Sequence, residues 1–127
     1  MPDAIAQFED AKYINVETFR KTGAGVRTPV WFAADPAAPD SFYIYSLADA
    51  GKVKRIRNNP KVRVAPCDMR GNLRGAWVEG RARICTGKDV EKGQDLLRDK
   101  YGWMKIVGDF FSRMRGRTQV VLQIDLG

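Results

Sequence analysis

From Tyr13 to Phe19 the chain alternates, imperfectly, between apolar and polar positions, with Ile14, Val16 and Thr18 on one side and Asn15 and Glu17 on the other. The run is rich in β-branched and aromatic residues and predicts a strand. Ahead of it, Ile5 and Phe8 stand three apart within Asp3–Asp10, the spacing of a short helix laid on a core. Behind it, Lys21-Thr22-Gly23-Ala24-Gly25 reads as a turn whose glycines supply backbone angles other residues resist. Val26–Ala34 then forms a second strand, and the pair predicts a hairpin.

Asp35–Ser41 holds Pro36 and Pro39 and is expected to be an irregular surface loop. Phe42–Tyr45 is a third strand. A helical run follows over Lys52–Asn58 and stops at Pro60, because the residue before a proline is pushed out of helical geometry. Val62–Ala65 alternates as a fourth strand, Asp68–Asn72 turns the chain, and Ala76–Ile84 is a fifth strand interrupted by Gly80. Asp89–Tyr101 predicts a helix with Val90, Leu96 and Leu97 inward and Gly93 as its weak point. Trp103–Met114 continues as a second helix, and Gln119–Ile124 is a sixth strand. Short strands joined by tight turns suit a closed barrel better than a doubly wound sheet, so the class is mainly β (α+β) with flanking helices. There is no repeat and no linker, and 127 residues fit one domain spanning 1–127.

Composition narrows the chemistry. No stretch approaches the ~20 apolar residues that cross a bilayer, so no membrane partner is expected. Met1–Asp10 lacks a basic segment followed by an apolar run, which makes the cytoplasm the expected compartment. Cys67 and Cys85 form no CxxC pair and read as small buried hydrophobes. With no histidine and no cysteine cluster, no metal site is expected. The missing histidine also removes catalytic triads and most general acid–base schemes, so no catalytic side chain is assigned. The reactive atoms of an enzyme built this way belong to a cofactor.

The charge points to the kind of cofactor. Lysine and arginine number 22 against 15 acids, a formal net charge of +7, which favours anionic partners. Lys52, Lys54, Arg55, Arg57, Lys61 and Arg63 run together with no acid among them. Within Tyr45–Arg55 a hydroxyl, Ser46, ends a strand, Gly51 follows, and a helix opens with Lys52. Free amides of a first helical turn, together with Ser46 and Lys52, make a phosphate cradle. The same basic run also reads as a solvated helix face. Arg27-Thr28-Pro29-Val30-Trp31 is the second feature, since a proline cannot donate to a ladder and marks an edge strand or one exposed to a ligand. Trp77, Tyr101 and Trp103 serve either as core or as rings over a planar cofactor. They do not form an exposed stacking platform, and nucleic acid is not expected as a partner.

Several of these segments resemble one family. Thr18-Phe19-Arg20, Thr28-Pro29-Val30-Trp31-Phe32 and Gly51-Lys52-Val53-Lys54-Arg55-Ile56-Arg57-Asn58-Asn59-Pro60-Lys61-Val62 are similar to the signature of the pyridoxamine 5′-phosphate oxidase-like superfamily. Within it they resemble the branch of coenzyme F-420-dependent enzymes. The likeness continues through Val64–Asp68, Arg70-Gly71, Trp77–Ala82 and Lys100-Tyr101-Gly102. It implies a six-stranded split β-barrel of the FMN-binding type, a homodimer with cofactor sites along the interface. By that resemblance Arg27, Thr28, Pro29, Val30 and Trp31 lie along the cofactor ring, while Ser46 and the helix start at Gly51 and Lys52 hold its phosphate, with the cofactor-site residues Lys54 and Arg55 nearby. The cofactor is then F-420, or alternatively FMN, and a small unsaturated organic molecule exchanges a hydride with it. A pyridoxamine 5′-phosphate oxidase-like FMN enzyme and a non-catalytic flavin-binding protein are the alternatives. Two departures from the family pattern stand out: a longer Pro36–Pro39 loop, and polar residues at Asn15 and Glu17 where less polar ones are expected.

Overall fold

A computed structural model of the chain describes residues 5–48, 50–101 and 119–126. In chain order its elements are β1 (Tyr13–Phe19), β2 (Gly25–Trp31), β3 (Ala33–Asp35), β4 (Ala38–Leu47), α1 (Gly51–Asn58), β5 (Lys61–Cys67), β6 (Val78–Ile84), α2 (Lys88–Tyr101) and β7 (Gln119–Leu126). All strands join one sheet in the order β2-β1-β5-β6-β7-β4-β3, and every pairing is antiparallel. The two edge strands, β2 and β3, are consecutive pieces of chain separated only by Phe32. The sheet therefore curls back on itself, which fits the split-barrel class.

Among the described residues the count is seven strands, not six. The expected single strand Val26–Ala34 breaks at Phe32, where the chain leaves its partner β1 and joins β4. Phe32 is 1% exposed at the break. Its ring lies 4.9 Å from Phe42, and Phe42 in turn lies 5.0 Å from Phe8 in an edge-to-face contact. Burying a ring of this size stabilises by roughly 1.5–3 kcal/mol, enough to fix where the strand bends.

The proline-rich stretch is also more regular than expected. Asp35 and Ala38 pair across a tight turn at Pro36 and Ala37, and the Asp35 carboxylate accepts from the Ala37 amide at 2.9 Å. Pro39 lies inside β4, where the β3–β4 register jumps from Ala34–Phe42 to Asp35–Ala38. In that bulge a residue without an N–H breaks no ladder bond. The fifth expected strand begins at Val78, so Trp77 precedes it.

The main core fills the concave side with Ile14, Val16, Phe42, Ile44, Val62, Val64, Leu122 and Ile124. Phe8 joins it from the N-terminal segment, where residues 5 and 6 are helical, as expected of a short helix there, and a turn follows over 7–10. A second cluster, Ala33, Tyr43, Cys85, Leu97 and Val121, lies beneath α2. That helix carries Asp89 and Glu91 in its first turn and Arg98 and Lys100 in its last, matching its dipole. Both cysteines are free and buried. The expected helix over Trp103–Met114 lies outside the described residues. Among those described, no helix is long and apolar enough to cross a membrane.

Candidate functional site

Helix α1 forms because Val53 and Ile56 bury one face while lysines and arginines take the other. Its end is set by Asn59, whose amide donates to the Arg55 carbonyl at 2.8 Å while its side-chain oxygen accepts from Lys61. Its start is different. The residue before it, Ala50, is extended and offers no side-chain cap, and the first turn contains no acid. The amides of Val53 and Lys54 bond the Ala50 carbonyl. Those of Gly51 and Lys52 have no acceptor among the described residues. An uncapped first turn carries about half a positive charge.

Cations gather at this same end. Arg55 folds back over the turn and donates from Nε to the Thr18 hydroxyl on β1 at 2.6 Å. A Cβ on residue 51 would lie 2.8 Å from the Arg55 Nη1, so glycine is what allows the guanidinium to sit there. Burial pushes the Arg55 guanidinium below its usual value, and the charge of Arg20 adds to this. Burial likewise pushes the Lys52 ammonium down, with Arg55 contributing. Neither Lys52 nor Arg55 has an ion-pair partner among the described residues. Two mutually repelling, partly desolvated cations beside an uncapped helix start fit an anion such as a phosphate ester.

The other expected residues divide into two groups. Lys54 is exposed on the helix's solvent side. Ser46 is 3% exposed, and its hydroxyl donates to the Leu47 carbonyl at 3.2 Å, so it is packed beneath the surface. On β2, Val30 packs against the main core, so Thr28 and Val30 share the core-side face of the strand. Arg27, Pro29 and Trp31 take the opposite face.

The hairpin bonding shows which way the β2 backbone points. Arg20 and Ala24 are linked by an N–H···O bond at 2.9 Å, and the β1–β2 register continues without a shift. By the alternation of antiparallel ladders, Val26, Thr28 and Val30 bond to β1. Arg27 and Pro29 then direct their backbone polar groups away from β1, at the edge of the sheet formed by the described residues. Pro29 thus sits where its missing N–H costs the sheet nothing.

A polar cluster lies on the Arg27 face. Glu17 is directly opposite Arg27 on β2 and Arg63 on β5. Arg27 Nε donates to Glu17 Oε2 at 3.0 Å, and Arg63 Nε donates to Oε1 at 2.7 Å. Trp77 covers both guanidiniums, its ring centroid 4.9 Å from Arg27 and 5.0 Å from Arg63. Burial pushes the Glu17 carboxyl up, and the two arginines more than reverse this, leaving it below its ordinary value. Next to it Asn15 donates to the Gly71 carbonyl at 3.1 Å as the β5–β6 loop folds over β1. Trp77 was visible in the sequence as either a core ring or a cofactor-stacking one, whereas Thr18, Glu17 and Arg63 were not singled out as site residues by local spacing. They meet only through strand register, which local sequence does not display.

With this geometry the chain can be compared with known proteins. The sequence profile of the family described as pyridoxamine 5′-phosphate oxidase matches residues 1–126. The chain belongs to that family. No curated protein matches it in sequence. Among solved structures, a candidate pyridoxamine 5′-phosphate oxidase from Listeria innocua is 14% identical with a TM-score of 0.66, over 98% of this chain and 91% of the other. A FAD-binding protein from Mesorhizobium loti is 15% identical at 0.65, covering 99% and 88%. A heme storage protein from Vibrio cholerae is 11% identical at 0.67, covering 99% and 89%. At these identities the likeness is one of fold.

Proposed function

We propose that the chain is one subunit of a homodimeric oxidoreductase that holds coenzyme F-420 and passes a hydride between it and a small unsaturated organic substrate. The observation that carries this reading is the start of α1, where Lys52 and Arg55 converge without a counter-ion among the described residues. Membership of the pyridoxamine 5′-phosphate oxidase family and likeness to a FAD-binding fold support a flavin-type group. FMN is the alternative, since its phosphate suits the same cradle. The excess of 22 basic over 15 acidic side chains favours the more anionic F-420. Haem is disfavoured because the chain has no histidine to ligate it.

When bound, the deazaflavin supplies the hydride chemistry. The chain's own residues bind and orient. Lys52, Arg55 and the amides of Gly51 and Lys52 take the phosphate, each charge-assisted contact contributing about 1.5–3 kcal/mol. The edge strand β2, from Arg27 to Trp31, lies along the ring system, with the outward backbone groups of Arg27 and Pro29 towards it. Thr28 and Val30 line its core-side face. Orientation and exclusion of water supply the rate enhancement, with no side chain acting as nucleophile.

The test is turnover of chemically reduced F-420 with a panel of conjugated enones and quinones. Protein-dependent oxidation of F-420 supports the assignment. Turnover with reduced FMN alone moves the protein to the FMN enzymes, and binding without turnover of either makes it a carrier.

A further inference from the structure

Glu17 is the residue the cofactor cradle leaves unexplained. It is 5% exposed on β1, the strand next to the sheet edge, at a position where an apolar side chain would cost nothing in desolvation. Replacing a buried ion pair by well-packed apolar residues is often neutral or stabilising, so stability alone is a weak reason for this one. The geometry shows what it does instead. One carboxylate oxygen takes Arg27 through Nε alone, and the other takes Arg63 through both Nε and Nη2. The Nη1 and Nη2 of Arg27 have no partner among the described residues, and the side chain is 53% exposed. The Trp77 ring covers one face of the guanidinium. Arg27 is therefore fixed at its neck and its face, with its outer fork free at the edge strand.

Gly25 belongs to the same device. A Cβ there would lie 2.5 Å from Glu17 Oε2 and 2.6 Å from its carboxyl carbon, so the strand needs a glycine for the carboxylate to reach Arg27. A fork held in place before its ligand arrives binds without a further loss of side-chain freedom.

We propose that Glu17 is a positioning residue for the cofactor site. Its carboxylate holds Arg27 so that the free Nη1–Nη2 fork meets a carbonyl or anionic group of a flavin or deazaflavin lying along β2. This rests on the cofactor reading above. The charged groups facing Glu17 are Arg27 from β2 and Arg63 from β5, with Trp77 over both.

The test is fluorescence titration of F-420 and FMN against wild type, Glu17→Gln, Gly25→Ala, Arg27→Ala and the Glu17→Gln/Arg27→Ala double variant. Removing an acid makes the protein more positive, so attraction by charge alone predicts tighter binding of an anionic cofactor to Glu17→Gln. Positioning predicts the opposite, a weakening of about tenfold, the size of one ordinary hydrogen bond. Gly25→Ala, which changes no charge, weakens binding in the same direction. In the Arg27→Ala background Glu17→Gln has no further effect, because its influence passes through Arg27. Inorganic phosphate, which needs only the cradle, competes equally well in wild type and Glu17→Gln. Unchanged or tighter cofactor binding by Glu17→Gln overturns the proposal. If Glu17→Gln does not fold, unchanged binding by Gly25→Ala overturns it. A wild type that binds neither cofactor while still binding phosphate refutes the cofactor reading, and this inference with it.

Discussion

Arg55 reaches from the first helix to Thr18 on the first strand, a span of 37 residues, and closes with a 2.6 Å hydrogen bond. The bond ties the uncapped start of α1 to the sheet. Thr18 is fully buried, so Thr18→Val keeps the shape and strands the Arg55 Nε without its acceptor. Loss of a hydrogen bond to a charged group costs about 1.5–3 kcal/mol. Urea denaturation of Thr18→Val is expected to show a loss in this range, with weaker phosphate binding as the guanidinium shifts.

Gly93 sits inside α2, where alanine would ordinarily stabilise by about 0.5–1 kcal/mol. A Cβ there would meet Val121 Cγ1 at 2.6 Å and Tyr43 Cδ1 at 2.8 Å. The helix can lie this close to β4 and β7 only through a glycine. Gly93→Ala is therefore expected to destabilise by about 1–3 kcal/mol, the usual range for overpacking. Thermal unfolding with an increased melting temperature would contradict this packing.

Asp35 is buried and pairs with Lys92, and this hydrogen bond, opposed by burial and aided by the Ala37 amide, holds its carboxyl below its ordinary 3.8. A depressed carboxyl contributes stability that is complete above its unfolded value and is lost as pH falls through its folded one. Wild type is expected to lose stability below about pH 4 more steeply than Asp35→Asn. Parallel acid limbs in urea titrations would show that the pair contributes nothing.

Lys100 runs the other way. Its ammonium donates to the Ala11 carbonyl at 3.0 Å and lies 3.7 Å from the Phe32 ring centroid, and burial pushes its pKa down to about 8. Between that value and its ordinary 10.5, the unfolded chain holds more protons than the folded one. Raising pH across this window favours folding. Relative to Lys100→Met, wild type is expected to gain stability from pH 8 towards 10.

The strand and helix pattern was readable because period and punctuation are local. Pro60 ended α1 as expected, and Val53 and Ile56 faced the core. What local pattern could not show was the break at Phe32, which depends on Phe8 and Phe42 meeting it from distant segments. Pro39 misled for a similar reason, since only the register of β3 on β4 reveals a bulge that tolerates proline. At the site, Gly51, Lys52 and Arg55 were visible as one short run. Glu17 was visible only as a polar residue out of place. Its partners Arg27 and Arg63 are 10 and 46 residues away in the chain, and they reach it because β1 lies between β2 and β5.

The most direct test of the cofactor cradle is equilibrium binding of F-420 and FMN, followed by cofactor fluorescence, to wild type and Lys52→Ala. The expected result is roughly micromolar or tighter binding of F-420 to wild type, weakened about tenfold to a hundredfold in Lys52→Ala, the equivalent of one charge-assisted phosphate contact. Preference for FMN with the same sensitivity would keep the cradle and change the cofactor. Binding of neither, or binding indifferent to Lys52, would contradict the account.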